Sequence, residues 1–123
     1  MKNILGTDLQ CCSLQPVTGY FRDGYCRTDE TDRGSHTVAC IVDDRFLEFS
    51  QSRGNDLSTP NPAYHFPGLK DGDRWCVCAL RWKEAYEAGY APKVVLQATH
   101  ERALDVIELG DLLAMSADVG PKE

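Results

Sequence analysis

The stretch that decides the fold reads Asp73-Arg74-Trp75-Cys76-Val77-Cys78-Ala79-Leu80-Arg81-Trp82. Successive side chains of a β-strand point to opposite faces, so Trp75 and Val77 would share one face of such a strand. Cys76 and Cys78 would then lie together on the other face. We therefore predict a core strand over residues 73–80 that presents two cysteines on the same side.

A long polar loop, residues 54–73, leads into this strand and contains three prolines and three glycines. Connections longer than about 12 to 15 residues without regular structure are uncommon in compact domains and often form binding loops or lids. The alternative is that short 3₁₀ turns in the loop merely cover an apolar face. The polar residues that would contact a ligand are Arg53, Asn55, Asp56, Ser58 and Thr59.

The rest of the chain alternates short apolar runs with turn residues. Asp43 or Asp44 can cap a helix that Gly54 ends, and its buried stripe would include Phe46 and Leu47. Further elements are predicted at 36–42 (strand), 81–88 (helix), 93–98 (strand), 103–107 (strand) and 109–117 (helix, with Leu112, Leu113 and Met115 inward). The pattern predicts an α+β fold with a small mixed or antiparallel sheet of three to four strands and about three helices.

The length of 123 residues suits one domain, so we expect residues 1–123 to form a single core. Residues 1–35 are rich in turn signals and poor in apolar residues, which predicts an irregular N-terminal arm. Residues 118–123 are predicted to be a frayed tail.

The charge balance excludes some classes of partner. The net charge is −6, and basic residues are scattered, which argues against duplex nucleic acid and anionic membranes. No apolar run approaches the roughly 20 residues of a spanning helix. Residues 1–8 lack the apolar segment of a signal peptide, so we expect a cytoplasmic protein. The oligomeric state is left open.

Six cysteines are many for a reducing compartment: residues 11, 12, 26, 40, 76 and 78. We expect reduced thiols there, as inert core residues, a metal site or a redox group. A structural zinc site would draw its ligands from Cys12, Cys26, His36, Cys76 and Cys78.

A nucleophilic reaction is a further hypothesis. Its nucleophile would be Cys26, Ser58, Cys76 or Cys78, and its base would be His36, His65 or His100. No Gly-x-Ser-x-Gly motif accompanies these residues, so the choice among them stays open.

The sequence resembles a bacterial family of small proteins, the domain of unknown function 2237. The segments that carry the resemblance are Gly54-Asn55-Asp56-Leu57-Ser58-Thr59-Pro60, Phe66-Pro67-Gly68-Leu69, Gly72-Asp73-Arg74-Trp75-Cys76, Arg81-Trp82 and Ala98-Thr99-His100. The resemblance extends over nearly the whole chain and implies a single cytoplasmic domain, but no activity or ligand. It also implies a cysteine directly after Val38, where this chain has Ala39. Cys40 would therefore face the opposite side of the strand.

Three functions remain as hypotheses. The first is a small-molecule binding or catalytic domain, whose pocket is formed by loop residues 53–60 with Cys76 and Cys78. The second is the structural zinc domain. The third is a non-enzymatic interaction module that uses the loop to dock another protein.

Overall fold

The computed structural model describes residues 1–117, which form an α+β fold built on one antiparallel sheet. The strands are β1 (Val38–Ile41), β2 (Arg74–Val77) and β3 (Lys93–Val94), in the order β2-β1-β3. Ala39 pairs with Cys76 in the β1–β2 register. The predicted fold class is confirmed, and the β-branched 36–42 segment supplies the central strand, as a doubly buried strand should.

Three α-helices accompany the sheet: α1 (Asp44–Ser52), α2 (Ala79–Ala88) and α3 (Leu109–Ala114). The Asp43 carboxylate accepts the Phe46 N–H at 2.8 Å, which is the expected N-cap of α1. Phe46 and Leu47 are buried on the predicted stripe, and Gly54 follows the helix with φ +87°. The sequence signals for α1 are thus confirmed at both ends.

The two faces of the sheet pack against different groups of residues. Val38, Trp75 and Val77 belong to the main core, together with Phe46 of α1 and Trp82 of α2. The other face carries a smaller cluster that lies beneath the N-terminal arm and contains Cys12, Cys26, Ala39, Cys76, Val95 and Ala98. Strand alternation therefore puts Cys76 in the smaller cluster and Trp75 in the main core.

Several predicted boundaries were wrong. Ala79 and Leu80 begin α2 rather than end the strand, because the chain turns at Cys78 and the Ala79 N–H bonds to the Ser35 carbonyl at 3.0 Å. Residues 96–98 and 101–105 form 3₁₀ helices, so the fourth strand predicted at 103–107 is not present. The His100 ring accepts the Arg102 N–H at 3.0 Å and caps the second of these turns.

The last described helix is shorter than predicted and only partly inward-facing. Leu112 is the buried residue of α3, whereas Leu113 is 44% exposed. The tail predicted at 118–123 lies outside the described residues.

The N-terminal arm is irregular, and hydrogen bonds and a disulfide attach it to the rest of the fold. Within residues 1–37 the structure has turns and isolated bridges in place of helices and longer strands. The buried Asn3 amide donates to the Gln97 carbonyl at 3.0 Å. A disulfide joins Cys26 of the arm to Cys76 of β2. This bond corrects the expectation that all six cysteines are reduced.

Among residues 1–117 no helix has the length and apolar character needed to span a bilayer.

Candidate functional site

A cavity of about 350 Å³ opens beside β2. Four consecutive residues, 75–78, contribute to its lining, and residues of both sheet faces are among them. This is possible because β2 is an edge strand, so one long side of its backbone is not paired with another strand. The arm closes part of that edge, where Thr18 Oγ1 accepts the Cys76 N–H at 2.9 Å. The cavity lies beside the same edge of β2.

One wall of the cavity is aromatic and apolar. Trp75 is almost fully buried, and its ring lies 5.3 Å from that of Phe66, centroid to centroid. Leu57 and Tyr64 of the long loop continue this wall, and Tyr64 is highly exposed at 74%. Such a wall accommodates a flat or hydrocarbon part of a ligand.

Arg22 supplies a positive charge at the same place. Its guanidinium carbon lies 5.1 Å from the centre of the Trp75 ring, within the range of a cation–π contact. Within residues 1–117 no carboxylate forms an ion pair with it. Arg22 also has φ +55°, a left-handed conformation that non-glycine residues adopt at a cost. Such strain occurs often at binding sites, because the surrounding structure maintains it.

His36 lies in the cavity wall and is held by a buried acid. The Asp32 carboxylate is 2.7 Å from His36 Nδ1 and also accepts the His36 backbone N–H at 2.9 Å. The Asp32 side chain is fully buried, and Thr28 Oγ1 donates a third hydrogen bond to it. Because a carboxylate only accepts, Nδ1 is the donor, which leaves Nε2 as the ring nitrogen available to a ligand.

The predicted loop residues divide into two groups. Asn55 lines the cavity; its backbone is fixed because its carbonyl accepts the Ser50 hydroxyl at 2.7 Å. Asp56, in contrast, closes a local turn by accepting the N–H groups of Ser58 and Thr59 at 2.9 and 3.1 Å. The Thr59 hydroxyl, which donates to Asp56, lowers the pKa of that carboxyl, as do the two backbone bonds. Asp56, Ser58 and Thr59 therefore shape the loop.

Arg53 lies away from the cavity, at the contact between α1 and α2. Its guanidinium is 3.4 Å from Glu84 and packs over the Phe49 ring. Its carbonyl accepts a hydrogen bond from Arg81 at 3.0 Å. These contacts join the two helices, and Arg53 does not line the cavity.

Both predicted cysteines of the β2 region reach the cavity, but they differ in state. Cys76 is almost fully buried and bonded to Cys26, whereas Cys78 is a half-buried free thiol at the N-terminus of α2. Cys78 and His36 belong to the same cavity lining. The other two candidate bases lie elsewhere: His65 on the exposed loop and His100 beneath the arm.

The predicted zinc ligands also separate. The sulfurs of Cys12, Cys26 and Cys76 lie within 4.8 Å of one another in a buried cluster, and two of them form the disulfide. His36 and Cys78 belong to the cavity instead. Cys40 projects into the main core, as its register predicted, and burial raises the pKa of its thiol well above the ordinary value. This cysteine is therefore suited to packing and not to chemistry.

Two polar residues were not predicted from the sequence: Arg22, which lines the cavity, and Asp32, which holds His36. Both belong to the arm, which was predicted only as an irregular segment because of its many turn residues. A signal was nevertheless present, since Arg22 lies in a turn between Gly19 and Gly24, and Asp32 precedes His36 by four residues.

Comparison with known proteins gives a family but no activity. No curated protein matches the chain. The sequence profile of a family described as an uncharacterized protein conserved in bacteria, DUF2237, matches residues 2–116. That match covers almost the full length, including the arm, the loop and all six cysteines. The chain therefore belongs to the DUF2237 family of bacterial proteins.

Proposed function

We propose that the protein binds a small molecule in the cavity beside β2. The observation that supports this most is the combination of an aromatic wall with converging polar groups in one concave site. Trp75 and Phe66 provide the wall, and Arg22, His36 and Asn55 provide the polar groups. Isolated apolar grooves or isolated charges are common on protein surfaces, but this combination in one hollow is typical of ligand sites.

The charges indicate the chemical class of the ligand. Arg22 is the cation at the cavity, and a guanidinium pairs well with a carboxylate or phosphate in planar, two-point contact. A cavity of about 350 Å³ admits a small metabolite and excludes a folded polymer. We therefore propose a small acid with a flat or hydrocarbon portion that packs on Trp75.

Asn55 and the backbone of the long loop complete this site in the proposal. Within residues 1–117 the Asn55 carboxamide makes no hydrogen bond, so it has both donor and acceptor capacity to offer. Asp56, Ser58 and Thr59 act indirectly, because their turn keeps Leu57 and Asn55 in place.

A thermal-shift screen of small carboxylates tests the proposal. At least one compound should raise the melting temperature of the wild-type protein and raise that of Arg22→Ala much less. Arg45→Ala is the matched control, because Arg45 also stacks on an aromatic ring, Tyr90 at 4.9 Å, but on the remote helix α1. A screen without a stabilising carboxylate, or with equal shifts in all three proteins, contradicts the proposal.

A second candidate function, zinc binding, is favoured by the three-sulfur cluster of Cys12, Cys26 and Cys76. Tetrahedral zinc at about 2.3 Å from each sulfur places its sulfurs about 3.8 Å apart, which agrees with a cluster of this size. Disulfide sulfurs are not thiolate ligands, so binding requires that a dithiol first reduce the Cys26–Cys76 bond. A cytoplasmic location, which we propose from the sequence, would supply that reducing environment.

Metal analysis of the reduced protein tests this candidate. One zinc per chain should be retained after anaerobic reduction and desalting, and Cys12→Ser should weaken its retention. Cys40→Ser is the control, because Cys40 lies on the opposite face of β1. A reduced wild-type protein that retains no zinc rules the candidate out. Docking of another protein on the loop stays a prediction, with no particular contact to favour it.

A further inference from the structure

The cavity contains a thiol at a position where cysteines often react. Cys78 is the N-cap residue of α2, so the positive end of the helix dipole lies beside it. It is half-buried and belongs to the cavity lining. A reactive thiol needs access to substrate and a nearby group that takes its proton, and Cys78 meets the first requirement.

His36 meets the second requirement. The backbone next to His36 is hydrogen-bonded to the backbone next to Cys78: the carbonyl of Ser35, which precedes His36, accepts the N–H of Ala79, which follows Cys78, at 3.0 Å. The backbones of His36 and Cys78 are therefore adjacent, and both residues line the same cavity. Within the described residues no hydrogen bond joins them, and such bonds often form only when substrate is bound.

The residues around His36 hold its ring in one orientation. Asp32 fixes Nδ1 as a donor, which makes Nε2 the basic nitrogen. Gly34 leaves room for the ring: a Cβ at that position would lie 2.8 Å from His36 Cε1. Tyr20 stacks on the ring's face with centroids 6.1 Å apart. An acid, a histidine and a thiol in this order form the arrangement that activates nucleophilic cysteines.

We propose that Cys78 is a nucleophile, with His36 as its general base and Asp32 as the residue that positions His36. This inference rests on the proposed small-acid site and names the reaction class there: attack on an electrophilic carbon of a bound acid. The Cys78 proton passes to His36 Nε2 while a bond forms between sulfur and carbon. The bond from that carbon to its leaving group breaks, and the leaving group departs with the electron pair and receives the proton from His36. No oxidant or reductant takes part.

Alkylation with iodoacetate and iodoacetamide tests the proposal, with the Cys78 peptide followed by mass spectrometry. His36→Ala should slow modification of Cys78 by both reagents, by about 100-fold, the typical effect of removing a general base. Added imidazole should restore part of the rate, which a merely structural role of His36 does not predict. Asp32→Asn should slow the reaction by a smaller factor. His65→Ala is the control, because His65 lies on the exposed loop.

The two reagents separate this inference from the proposed function. Iodoacetate carries a carboxylate and iodoacetamide does not. Arg22→Ala should therefore lower the rate of Cys78 modification by iodoacetate relative to the rate by iodoacetamide. An unchanged ratio contradicts the acid site, whereas the effect of His36→Ala tests the nucleophile independently. The proposed role of His36 is wrong if Cys78 in His36→Ala reacts as fast as in the His65→Ala control. It is also wrong if added imidazole does not restore the rate of His36→Ala.

Discussion

The buried carboxylate of Asp32 holds the imidazole of His36, with Oδ1 2.7 Å from Nδ1. This contact links the irregular arm to the start of the central strand, because Asp32 also accepts the His36 backbone N–H. Burying a carboxylate is expensive unless its oxygens are hydrogen-bonded, and Asp32 satisfies this through three donors, His36 Nδ1 and N–H and Thr28 Oγ1. The arm therefore supports the cavity wall at His36.

The first prediction concerns the space beside His36. Gly34→Ala places a methyl group 2.8 Å from His36 Cε1, so the ring must move and Cys78 alkylation should slow at least about tenfold. The matched control is Gly110→Ala, because a Cβ there meets nothing within 4 Å and Gly110 lies inside α3. That variant should keep the wild-type rate and gain up to about 1 kcal/mol of stability. Equal alkylation rates for both variants contradict the role of the ring position.

A second prediction concerns the loop. Gly68 has φ +80°, and a Cβ there would lie 2.3 Å from the Ser58 carbonyl oxygen. Gly68→Ala should therefore destabilise the fold by more than about 2 kcal/mol, since strain and a backbone clash add. Gly54→Ala has a similar φ of +87° without close contacts and should cost only about 1 kcal/mol. Urea denaturation of both variants measures the difference, and a Gly54 variant as unstable as the Gly68 variant would show that close packing of the loop is unimportant.

The disulfide gives a third prediction. It closes a loop with a sequence separation of 50 residues between the arm and β2. Reduction with a dithiol should lower the free energy of unfolding by about 2–4 kcal/mol, because the unfolded chain regains loop entropy. The variant that replaces both Cys26 and Cys76 with alanine should be equally unstable with or without reductant. Reductant that leaves the wild-type urea midpoint unchanged argues against a stabilising bond.

A fourth prediction concerns pH. Burial lowers the pKa of His100, which is 6% exposed, so the folded state resists its protonation. Below the ordinary histidine pKa of about 6.5, the unfolded chain therefore binds more protons than the folded chain. The free energy of unfolding should fall as the pH falls from about 6.5 through the lowered pKa of His100 in the folded state. His100→Asn keeps an acceptor for the Arg102 N–H but removes the titration, so its stability should depend less on pH between 7 and 5. His65→Asn should retain the wild-type pH dependence, since His100 is still present.

The elements with strong local signals were predictable. Helix α1 has an N-cap at Asp43, a buried stripe and a glycine after its end, and all three act within about ten residues. The alternation in β2 correctly placed Cys76 and Trp75 on opposite faces. The 103–107 segment has no comparable signal, and its conformation depends on the His100 cap and on packing of Ala103.

The site was predictable only in part. Asn55, Cys76 and Cys78 were selected because a long loop precedes a strand with cysteines, and all three line the cavity. Arg22 contacts Trp75, which is 53 residues later in the sequence. Asp32 contacts His36, which is four residues later. The Cys26–Cys76 bond likewise joins positions 50 residues apart. Periodicity and turn chemistry describe neighbours along the chain, so they contain no information about the pairs that are 50 or more residues apart, Arg22 with Trp75 and Cys26 with Cys76.

The central claim, a small-acid site beside β2, is tested most directly by the two tryptophan indole N–H signals in a nitrogen-15 NMR titration with the stabilising carboxylate. Trp75 lies in the cavity wall, whereas Trp82 is fully buried in the main core and donates to the Pro92 carbonyl at 3.3 Å. We expect the Trp75 signal to shift in a saturable way, with the Trp82 signal unmoved and the response weakened in Arg22→Ala. A compound that leaves Trp75 unmoved while shifting signals elsewhere would contradict the account.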